Sequence, residues 1–361
     1  MAVSLGIPRV LPTAGVPERG GLTDRYGRVA TDLRLSLTDK CNLRCTYCMP
    51  ADGMDWLPRA QLLTAGEITR LVGIAVDTLG VVELRLTGGE PLIRPDLEDV
   101  VAGVRGRHPD LPISLTTNGV GLDRRAASLR DAGLSRINIS LDTLCPETFA
   151  ALSRRNLLER TLAGIAAADA AGLSPVKINA VLMRGVNEDE AGELAAWCLA
   201  RGYELRFIEQ MPLDADHGWR RDTMVTAAQI RAHLERDFAL TPHPAKRDGA
   251  PAERYTAVAR RDPAVHGTLG IIASVTEPFC ADCKRTRLTA DGKVRSCLFS
   301  HEEVDLLHLL RGGADDEQLA QRWRQAMWVK PLAHGTESPG TEGLDASGYV
   351  QPDRSMSAIG G

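Results

Sequence analysis

Short apolar segments alternate along much of the chain with longer segments of helical periodicity. The apolar segments are rich in Val, Ile and Leu, as strands are, and the segments between them repeat apolar residues at helical spacing. Six strands are predicted: LRLSL (33–37), VVELRL (81–86), PISLTT (112–117), RINISL (136–141), VKINAVLM (176–183) and YELRFIE (203–209). This alternation predicts an α/β fold with a parallel sheet, which curls into a partial or full barrel.

The pattern changes near residue 240, after VTAAQIRAHLERDFAL. The next stretch, TPHPAKRDGAPAERY, is rich in Pro, Gly and charge and indicates a linker or an exposed loop. We therefore predict a core over residues 24–240 and a smaller C-terminal domain over residues 241–332. Residues 1–23 are predicted to form a disordered leader, and the Gly-, Ser- and Pro-rich residues 333–361 a flexible tail.

Composition and charge exclude several classes of protein. Hydrophobic residues make up 43% of the chain and charged residues 25%, as in a soluble globular protein, and no apolar run is long enough to predict a membrane span. The net charge of −4 argues against a general nucleic-acid binder, which needs a basic excess. We expect a cytoplasmic protein that binds neither nucleic acid nor membranes.

The cysteines favour metal binding over disulfides. Six of the eight fall into two tight groups, and no secretory signal precedes them, which indicates metal ligands in a reducing compartment. The other two, Cys145 and Cys198, stand alone and are predicted to be buried structural thiols.

The first group, CNLRCTYC, contains Cys41, Cys45 and Cys48 directly after the strand LRLSL. A structural zinc site takes four protein ligands, and the iron–sulfur cubes of electron carriers take four thiolates. Three thiolates on a cube leave one iron open for a small molecule. The position after a strand places this group at the end of a barrel where active sites are built.

The second group also has three thiols, Cys280, Cys283 and Cys297, with C-x2-C-x13-C spacing. One interpretation is a structural zinc site completed by a distant fourth ligand, for which His301 is a candidate, although an exposed histidine explains His301 better. The other is a second cube with an open iron. Arg285 and Arg287 lie between these cysteines and present planar donor groups that suit carboxylates and phosphates. Two open cubes with arginines indicate an anionic substrate that contains a base.

CNLRCTYC is similar to the signature of the radical S-adenosylmethionine (SAM) superfamily, and LTGGEPL (86–92) resembles its glycine-rich SAM-binding stretch. Further segments resemble one family within it, the GTP 3′,8-cyclases: DLRLSLTDKCNLRCTYCMP, LRLTGGEPLIR, LTTNG, RINISLD, VKINAV, LRFIEQMPL, the second cysteine group and the terminal Gly-Gly. The resemblance implies a partial (β/α)6-type TIM barrel of the radical SAM type, with a C-terminal α+β domain that carries a second Fe–S cluster.

The resemblance also implies a role for individual residues. Cys41, Cys45 and Cys48 would hold a [4Fe–4S] cluster that binds SAM, and Cys280, Cys283 and Cys297 a second [4Fe–4S] cluster. The other implied positions are Tyr47, Gly89, Ser140 and Met211 for SAM; Arg34, Arg85, Thr116, Lys177, Arg285, Thr286 and Arg287 for GTP; and Arg206, Gly360 and Gly361 for the active site.

The chemistry implied by the resemblance is radical cyclisation of GTP. A 5′-deoxyadenosyl radical from SAM would abstract the ribose C3′ hydrogen, and the C3′ radical would then attack C8 of guanine. One further electron and a proton would give 3′,8-cyclo-7,8-dihydro-GTP, in the first step of molybdenum cofactor biosynthesis. Implied partners are an electron donor of the flavodoxin or ferredoxin type and cyclic pyranopterin monophosphate synthase, which receives the product; the resemblance also allows a homodimer.

Two alternatives stay open at this point. A peptide maturase of the radical SAM superfamily would share the first motif, although such enzymes carry more cysteines in their C-terminal region. An Fe–S electron carrier would have clusters fully ligated by protein, whereas both groups here stop at three thiols.

Overall fold

A computed structural model describes residues 14–334, 351–352 and 354–360. Twelve strands form one sheet, in the order β14-β13-β12-β3-β4-β5-β6-β7-β8-β11-β10-β9, and β1 and β2 form a separate pair. The strands are β1 (Leu22–Thr23), β2 (Val29–Ala30), β3 (Asp32–Ser36), β4 (Glu83–Thr87), β5 (Ile113–Thr117), β6 (Arg136–Ser140), β7 (Val176–Leu182), β8 (Glu204–Glu209), β9 (Phe238–Pro242), β10 (Glu253–Ala259), β11 (His266–Ile272), β12 (Arg285–Leu288), β13 (Lys293–Arg295) and β14 (Val304–Asp305).

The α-helices lie mostly between the parallel strands, as the sequence predicts. They are α1 (Ala65–Asp77), α2 (Leu97–Arg107), α3 (Ala126–Asp131), α4 (Pro146–Ser153), α5 (Leu158–Ala170), α6 (Ala191–Leu199), α7 (Ala227–Asp237), α8 (Leu307–Arg311), α9 (Asp316–Trp328) and α10 (Met356–Ile359). None of the helices in the described part of the chain is long and apolar enough to cross a membrane.

Six parallel strands, β3 to β8, form the barrel and stand side by side in chain order. Alternate side chains of a strand point to opposite faces. In β3, Leu33 and Leu35 are fully buried in the same apolar cluster as Ile68 and Leu71 of α1. Arg34 therefore points into the barrel. The predicted six-stranded partial barrel is confirmed. Its outward-facing apolar side chains pack against the helices, and polar side chains face inward.

The C-terminal region extends the same sheet at both of its edges. Strand β11 pairs in parallel with β8, and β9 and β10 continue from it. Strand β12 pairs in parallel with β3, followed by β13 and β14. One sheet therefore crosses the predicted boundary near residue 240, and the second cysteine group is brought alongside the barrel opening.

Both predicted mobile ends include packed residues. Within the predicted leader, Val16 is buried, and the buried Arg324 of α9 donates hydrogen bonds to the carbonyl oxygens of Glu18 (3.1 Å) and Gly20 (3.0 Å). At the other end, Ile359 is fully buried. A buried guanidinium needs acceptors, and the chain before residue 24 supplies them.

Candidate functional site

The first cysteine trio lies in the loop after β3 and lines a pocket at the barrel opening. Burial and the neighbouring Glu90 raise the pKa of the Cys41 thiol to about 11. Burial and the charge of Cys41 raise the pKa of the Cys48 thiol to about 12. The Arg44 guanidinium offsets the shift at Cys41 only in part. Iron ions would supply the positive charge that three thiolates need. The residues present therefore fit a cluster held by three thiolates.

Two glycines allow the loop after β4 to pack closely against the loop that carries the first cysteine trio. A Cβ atom on Gly88 would lie 2.5 Å from the Thr38 carbonyl oxygen, and one on Gly89 would lie 2.3 Å from that of Lys40. The Gly89 N–H donates to the Thr38 carbonyl oxygen over 2.8 Å. Only glycine allows this close approach of two backbones, so the glycine stretch forms one wall of the first pocket.

Glu90 ties this wall to the end of β5. Its fully buried carboxylate accepts hydrogen bonds from the Thr117 hydroxyl (2.7 Å), the Asn118 backbone N–H (2.7 Å) and the Leu92 backbone N–H (2.9 Å). The Asn118 amide also lies 3.8 Å from the Cys41 sulfur as a donor. A chain of hydrogen bonds thus positions the first trio relative to two strands.

Tyr47 and Asp142 form a buried pair in the first pocket. The Tyr47 hydroxyl donates to the Asp142 carboxylate over 2.7 Å, and the Val181 N–H donates to its other oxygen over 2.8 Å. Burial raises the pKa of Asp142 to about 6 despite these donors. Ser140 and Gly89 line the same pocket, so three of the four residues implied for SAM come together here.

Five arginines line the second pocket: Arg34, Arg85, Arg206, Arg285 and Arg287. Three of them are direct partners in the register of neighbouring strands, since Arg287 of β12 pairs with Arg34 of β3, which pairs with Arg85 of β4. Parallel strands in register thus place their guanidinium groups side by side within the barrel.

The arginine cluster has more positive charge and more hydrogen-bond donors than the neighbouring protein groups compensate. Burial and Arg85 lower the pKa of Arg206 to about 9, and burial and Arg285 lower that of Arg287 to about 10. Buried nitrogen atoms without a hydrogen-bond partner occur on Arg34, Arg85, Arg206 and Arg285. Buried donors of this kind are costly unless a ligand pairs with them, so the pocket is suited to a polyanion.

The second cysteine trio lines the same pocket as the arginines. Burial and Cys297 raise the pKa of the Cys280 thiol to about 11. Burial also raises that of Cys283, but Lys330 and Arg285 outweigh it and bring the pKa to about 6. Cys283 therefore faces cations that stabilise its thiolate, and this trio too fits a cluster held by three thiolates.

The zinc interpretation of the second trio receives no support from His301, which is exposed and is not among the residues that line this pocket. Across the described ranges of the chain, no three His, Cys, Asp or Glu side chains converge as the ligands of a single metal ion would. The thiolates of a cube bind different irons and therefore lie further apart than ligands of one ion.

The end of the chain enters the barrel between the two pockets. Arg354 forms ion pairs with Asp291 (2.7 Å) and Glu303 (2.7 Å), and Met356 and Ser357 line the first pocket. The Ser36 hydroxyl donates to the Ile359 carbonyl oxygen over 2.8 Å.

Gly360 lies against Arg287 and the ends of β3 and β4. Arg287 donates to its carbonyl oxygen. A Cβ atom on Gly360 would lie 2.1 Å from the Thr87 hydroxyl oxygen and 2.4 Å from that of Ser36, so a larger side chain would clash. Gly361 lies outside the described residues.

Three implied site residues lie elsewhere than their assignment suggests. Met211 lines the arginine pocket rather than the first pocket. The Lys177 ammonium donates to Glu204 over 2.6 Å, and Lys177 is not among the residues that line either pocket. The Thr286 hydroxyl accepts a hydrogen bond from the indole N–H of the buried Trp323 over 2.9 Å, on the opposite face of β12 from Arg285 and Arg287.

Other pocket residues carry no assignment from the sequence. Asp142 and Asn118 line the first pocket, and Asn179 lines the second. Asn179 could have been found from strand alternation, because it lies two residues after Lys177 in β7 and so faces inward with it. Asp142 and Asn118 follow the ends of their strands, where barrel sites are built.

Thr116 lines both pockets, so the two sites adjoin. A small molecule in the first pocket and an anion in the second would therefore lie next to each other.

Comparison with known proteins gives matches over most of the chain. Residues 35–198 match the family model described as Radical SAM superfamily, and residues 203–336 match the one described as Molybdenum Cofactor Synthesis C. The chain is 65% identical over 348 residues to the GTP 3′,8-cyclase of Paenarthrobacter nicotinovorans, covering 94% of this chain and 97% of that one.

A second relative is the GTP 3′,8-cyclase of Mycolicibacterium smegmatis, with 53% identity over 366 residues and 99% of each chain covered. Among solved structures, a methylornithine synthase aligns with 58% of this chain and 63% of its own, at 17% identity and a TM-score of 0.44.

Proposed function

The chain belongs to the GTP 3′,8-cyclase family of the radical SAM superfamily, and we propose how its two pockets divide the work of that reaction. It is a radical SAM enzyme of molybdenum cofactor biosynthesis that cyclises GTP. The observation that carries the proposal is that two adjoining pockets share Thr116 and that each is lined by three cysteines, with no fourth cysteine and no histidine among its lining residues.

The first pocket is proposed to bind SAM beside a [4Fe–4S] cluster held by Cys41, Cys45 and Cys48. When bound, the cluster supplies the electron that cleaves SAM and yields the 5′-deoxyadenosyl radical. Gly89 lets the backbone approach the ligand closely, and Tyr47 and Ser140 contribute hydroxyl groups. Asp142 orients Tyr47 and adds negative charge that suits the SAM sulfonium cation.

The second pocket is proposed to bind GTP. The five arginines provide more buried donors than the protein satisfies, and a triphosphate accepts several such bonds at once. Cys280, Cys283 and Cys297 are proposed to hold a second [4Fe–4S] cluster at the other side of this pocket, near the guanine. Because the pockets adjoin at Thr116, the ribose would lie near the end of the SAM molecule.

The chain end is proposed to complete the enclosure of the substrates. Gly360 reaches Arg287 through its carbonyl oxygen, and Ser357 reaches the first pocket. A reactive carbon radical must be kept from water, and a segment that joins both pockets would exclude it. Gly361, which follows, is proposed to act with Gly360.

Lys177 and Thr286 are proposed to act less directly than the arginines, since neither side chain is among those that line the arginine pocket. We also propose a cytoplasmic enzyme that accepts electrons from a flavodoxin- or ferredoxin-type protein, passes its product to cyclic pyranopterin monophosphate synthase, and forms a homodimer.

One anaerobic experiment tests the whole proposal. The full chain is reconstituted with iron and sulfide, its iron is counted, and reductant, SAM and GTP are added. About eight irons are expected for two cubes, together with 5′-deoxyadenosine and the cyclised nucleotide. About four irons with full activity would contradict the second cluster, and 5′-deoxyadenosine without any cyclised nucleotide would contradict the assignment of GTP.

A further inference from the structure

Lys330 is buried against the loop that carries Cys283. Its exposed fraction is 2%. Its ammonium group donates to the carbonyl oxygens of Cys283 (2.9 Å) and Arg285 (2.9 Å) and lies 3.4 Å from the Cys283 sulfur as a donor. Every hydrogen bond of this ammonium group within the described residues therefore goes to one loop of the second trio.

A buried ammonium is costly unless an opposite charge lies close to it. Throughout the described ranges, Lys330 forms no ion pair with an aspartate or a glutamate; the acceptors it contacts are the two carbonyl oxygens and the Cys283 sulfur. The Cys283 sulfur is thus the group that can carry the compensating negative charge, as a thiolate and as a ligand of a cluster.

The backbone that follows Lys330 is held beside the second trio by another cation, Arg28. Arg28 donates to the carbonyl oxygens of Cys280 (2.8 Å), Pro331 (2.7 Å) and Leu332 (2.9 Å). It thereby joins residues 331 and 332 directly to another cysteine of the trio. Arg28 thus holds the backbone beside the second trio, and the three contacts of the Lys330 ammonium group position it at Cys283.

We propose that Lys330 is a positioning residue of the second cluster, which orients Cys283 and raises the reduction potential of that cluster. Hydrogen bonds to ligand sulfurs and the net charge around a cluster both set its potential. The reduced cluster carries one more negative charge than the oxidised one, so a fixed neighbouring cation favours reduction. The inference rests on the second cluster in the proposed function.

The test compares Lys330→Met with Lys284→Met in the reconstituted full chain. Methionine fills a similar space but has no charge and no N–H donors. Lys284 is the matched control, because it directly follows Cys283 but has a side chain that is 44% exposed and pairs with Asp248. Anaerobic redox titration followed by electron paramagnetic resonance gives the midpoint potential of each cluster separately.

We expect the second cluster of Lys330→Met to have a midpoint about 59 mV lower than wild type, which corresponds to a tenfold change in the ratio of reduced to oxidised cluster for one electron. The midpoint of the first cluster should not change, and neither midpoint should change in Lys284→Met. An unchanged second midpoint in Lys330→Met overturns the inference.

If Lys330→Met does not assemble the second cluster, Lys330→Arg shows whether the missing charge is the reason. Retention of the cluster in the arginine variant supports the charge role, whereas its loss there as well assigns Lys330 to packing and overturns the inference. A wild-type protein with about four irons would instead refute the second cluster itself, which distinguishes failure of the proposed function from failure of the role of Lys330.

Discussion

The two pockets share a boundary but have opposite charge. In the part of the chain that the structure describes, the first pocket is lined by Asp142 and three cysteines and by no lysine or arginine, whereas the second is lined by five arginines and by no aspartate or glutamate. SAM is a sulfonium cation, and the triphosphate of GTP is a polyanion. In the proposed function, this difference in charge favours SAM in the first pocket and GTP in the second.

Cys283 of the second trio differs in the same sense from the cysteines of the first trio, whereas the pKa of Cys280 is raised to about 11 as that of Cys41 is. Burial and neighbouring negative groups raise the pKa of Cys41 to about 11 and that of Cys48 to about 12. At Cys283 burial is outweighed by Lys330 and Arg285, and the pKa falls to about 6. Protein cations therefore stabilise the Cys283 thiolate, whereas the thiolates of Cys41 and Cys48 depend more on the charge of bound iron.

Removing a cysteine of the first trio should have the largest effect on activity. It should remove the first cluster and leave the second in place. Cys41→Ala leaves two thiolates for the first cube, and we expect SAM cleavage to fall at least about a hundredfold, because even the loss of a group that only supports a metal ligand costs about tenfold to a hundredfold. The measurement is 5′-deoxyadenosine formed per enzyme under reductant, with iron falling from about eight to about four.

The control for this variant is Cys198→Ala, which removes a thiol that is fully buried in α6 and belongs to the apolar core. It should keep its iron and its SAM cleavage. Normal production of 5′-deoxyadenosine by Cys41→Ala would refute the assignment of the first trio.

Removing an arginine of the second pocket should affect GTP more than SAM. Hydrogen bonds to charged groups contribute about 1.5–3 kcal/mol, so Arg285→Ala should lower GTP turnover roughly tenfold to a hundredfold. Cleavage of SAM in the absence of cyclisation should fall less, because Arg285 lines only the second pocket. The two products are measured in the same reaction.

Lys284→Ala is the matched control, since Lys284 precedes Arg285 in the chain but is exposed and pairs with Asp248. Equal loss of both products in Arg285→Ala would count against a substrate role for this arginine.

The sequence predicts the barrel well because the alternation of inward- and outward-facing side chains in a strand can be read from consecutive residues. Leu33 and Leu35 face the helices and Arg34 faces the interior, and this alternation is visible in LRLSL. The same rule shows that Thr286 must face away from the pocket that Arg285 and Arg287 line. The family resemblance assigns Arg285, Thr286 and Arg287 together to GTP, because it does not take strand alternation into account.

Contacts between distant parts of the chain could not be predicted from local patterns. The ion pairs of Arg354 with Asp291 and Glu303, and the hydrogen bonds of Lys330 to the Cys283 loop, join segments that are far apart in sequence. Lys177 is a further example. Strand alternation predicts that it faces the barrel interior, but alternation does not predict its ion pair with Glu204 on the neighbouring strand.

A change of pH should affect the first pocket through Asp142. Burial raises its pKa to about 6. The carboxylate therefore gains its charge as pH rises through 6 and loses it below. A cation such as SAM binds the charged form better, so SAM affinity should rise with pH through this range by about 1 kcal/mol, roughly fivefold.

Asp142→Asn keeps an acceptor and a side chain of the same shape but cannot ionise. It should bind SAM weakly and with a flat pH profile, measured by titration calorimetry under anaerobic conditions. GTP binding to the same variant is the control and should match wild type. A wild-type profile in Asp142→Asn would show that another group controls the affinity.

Thr286→Val should have the smallest effect on catalysis and tests whether the boundary of the second pocket is placed correctly. The hydroxyl accepts the indole N–H of Trp323, so its removal leaves a buried donor without a partner, which costs about 1–3 kcal/mol of unfolding free energy. We expect a lower melting temperature and an unchanged KM for GTP, whereas Thr286→Ser keeps the hydroxyl and should retain both values. A raised KM in the valine variant alone would place the Thr286 side chain in contact with GTP, as the family resemblance implies, and would extend the charged pocket to the opposite face of β12.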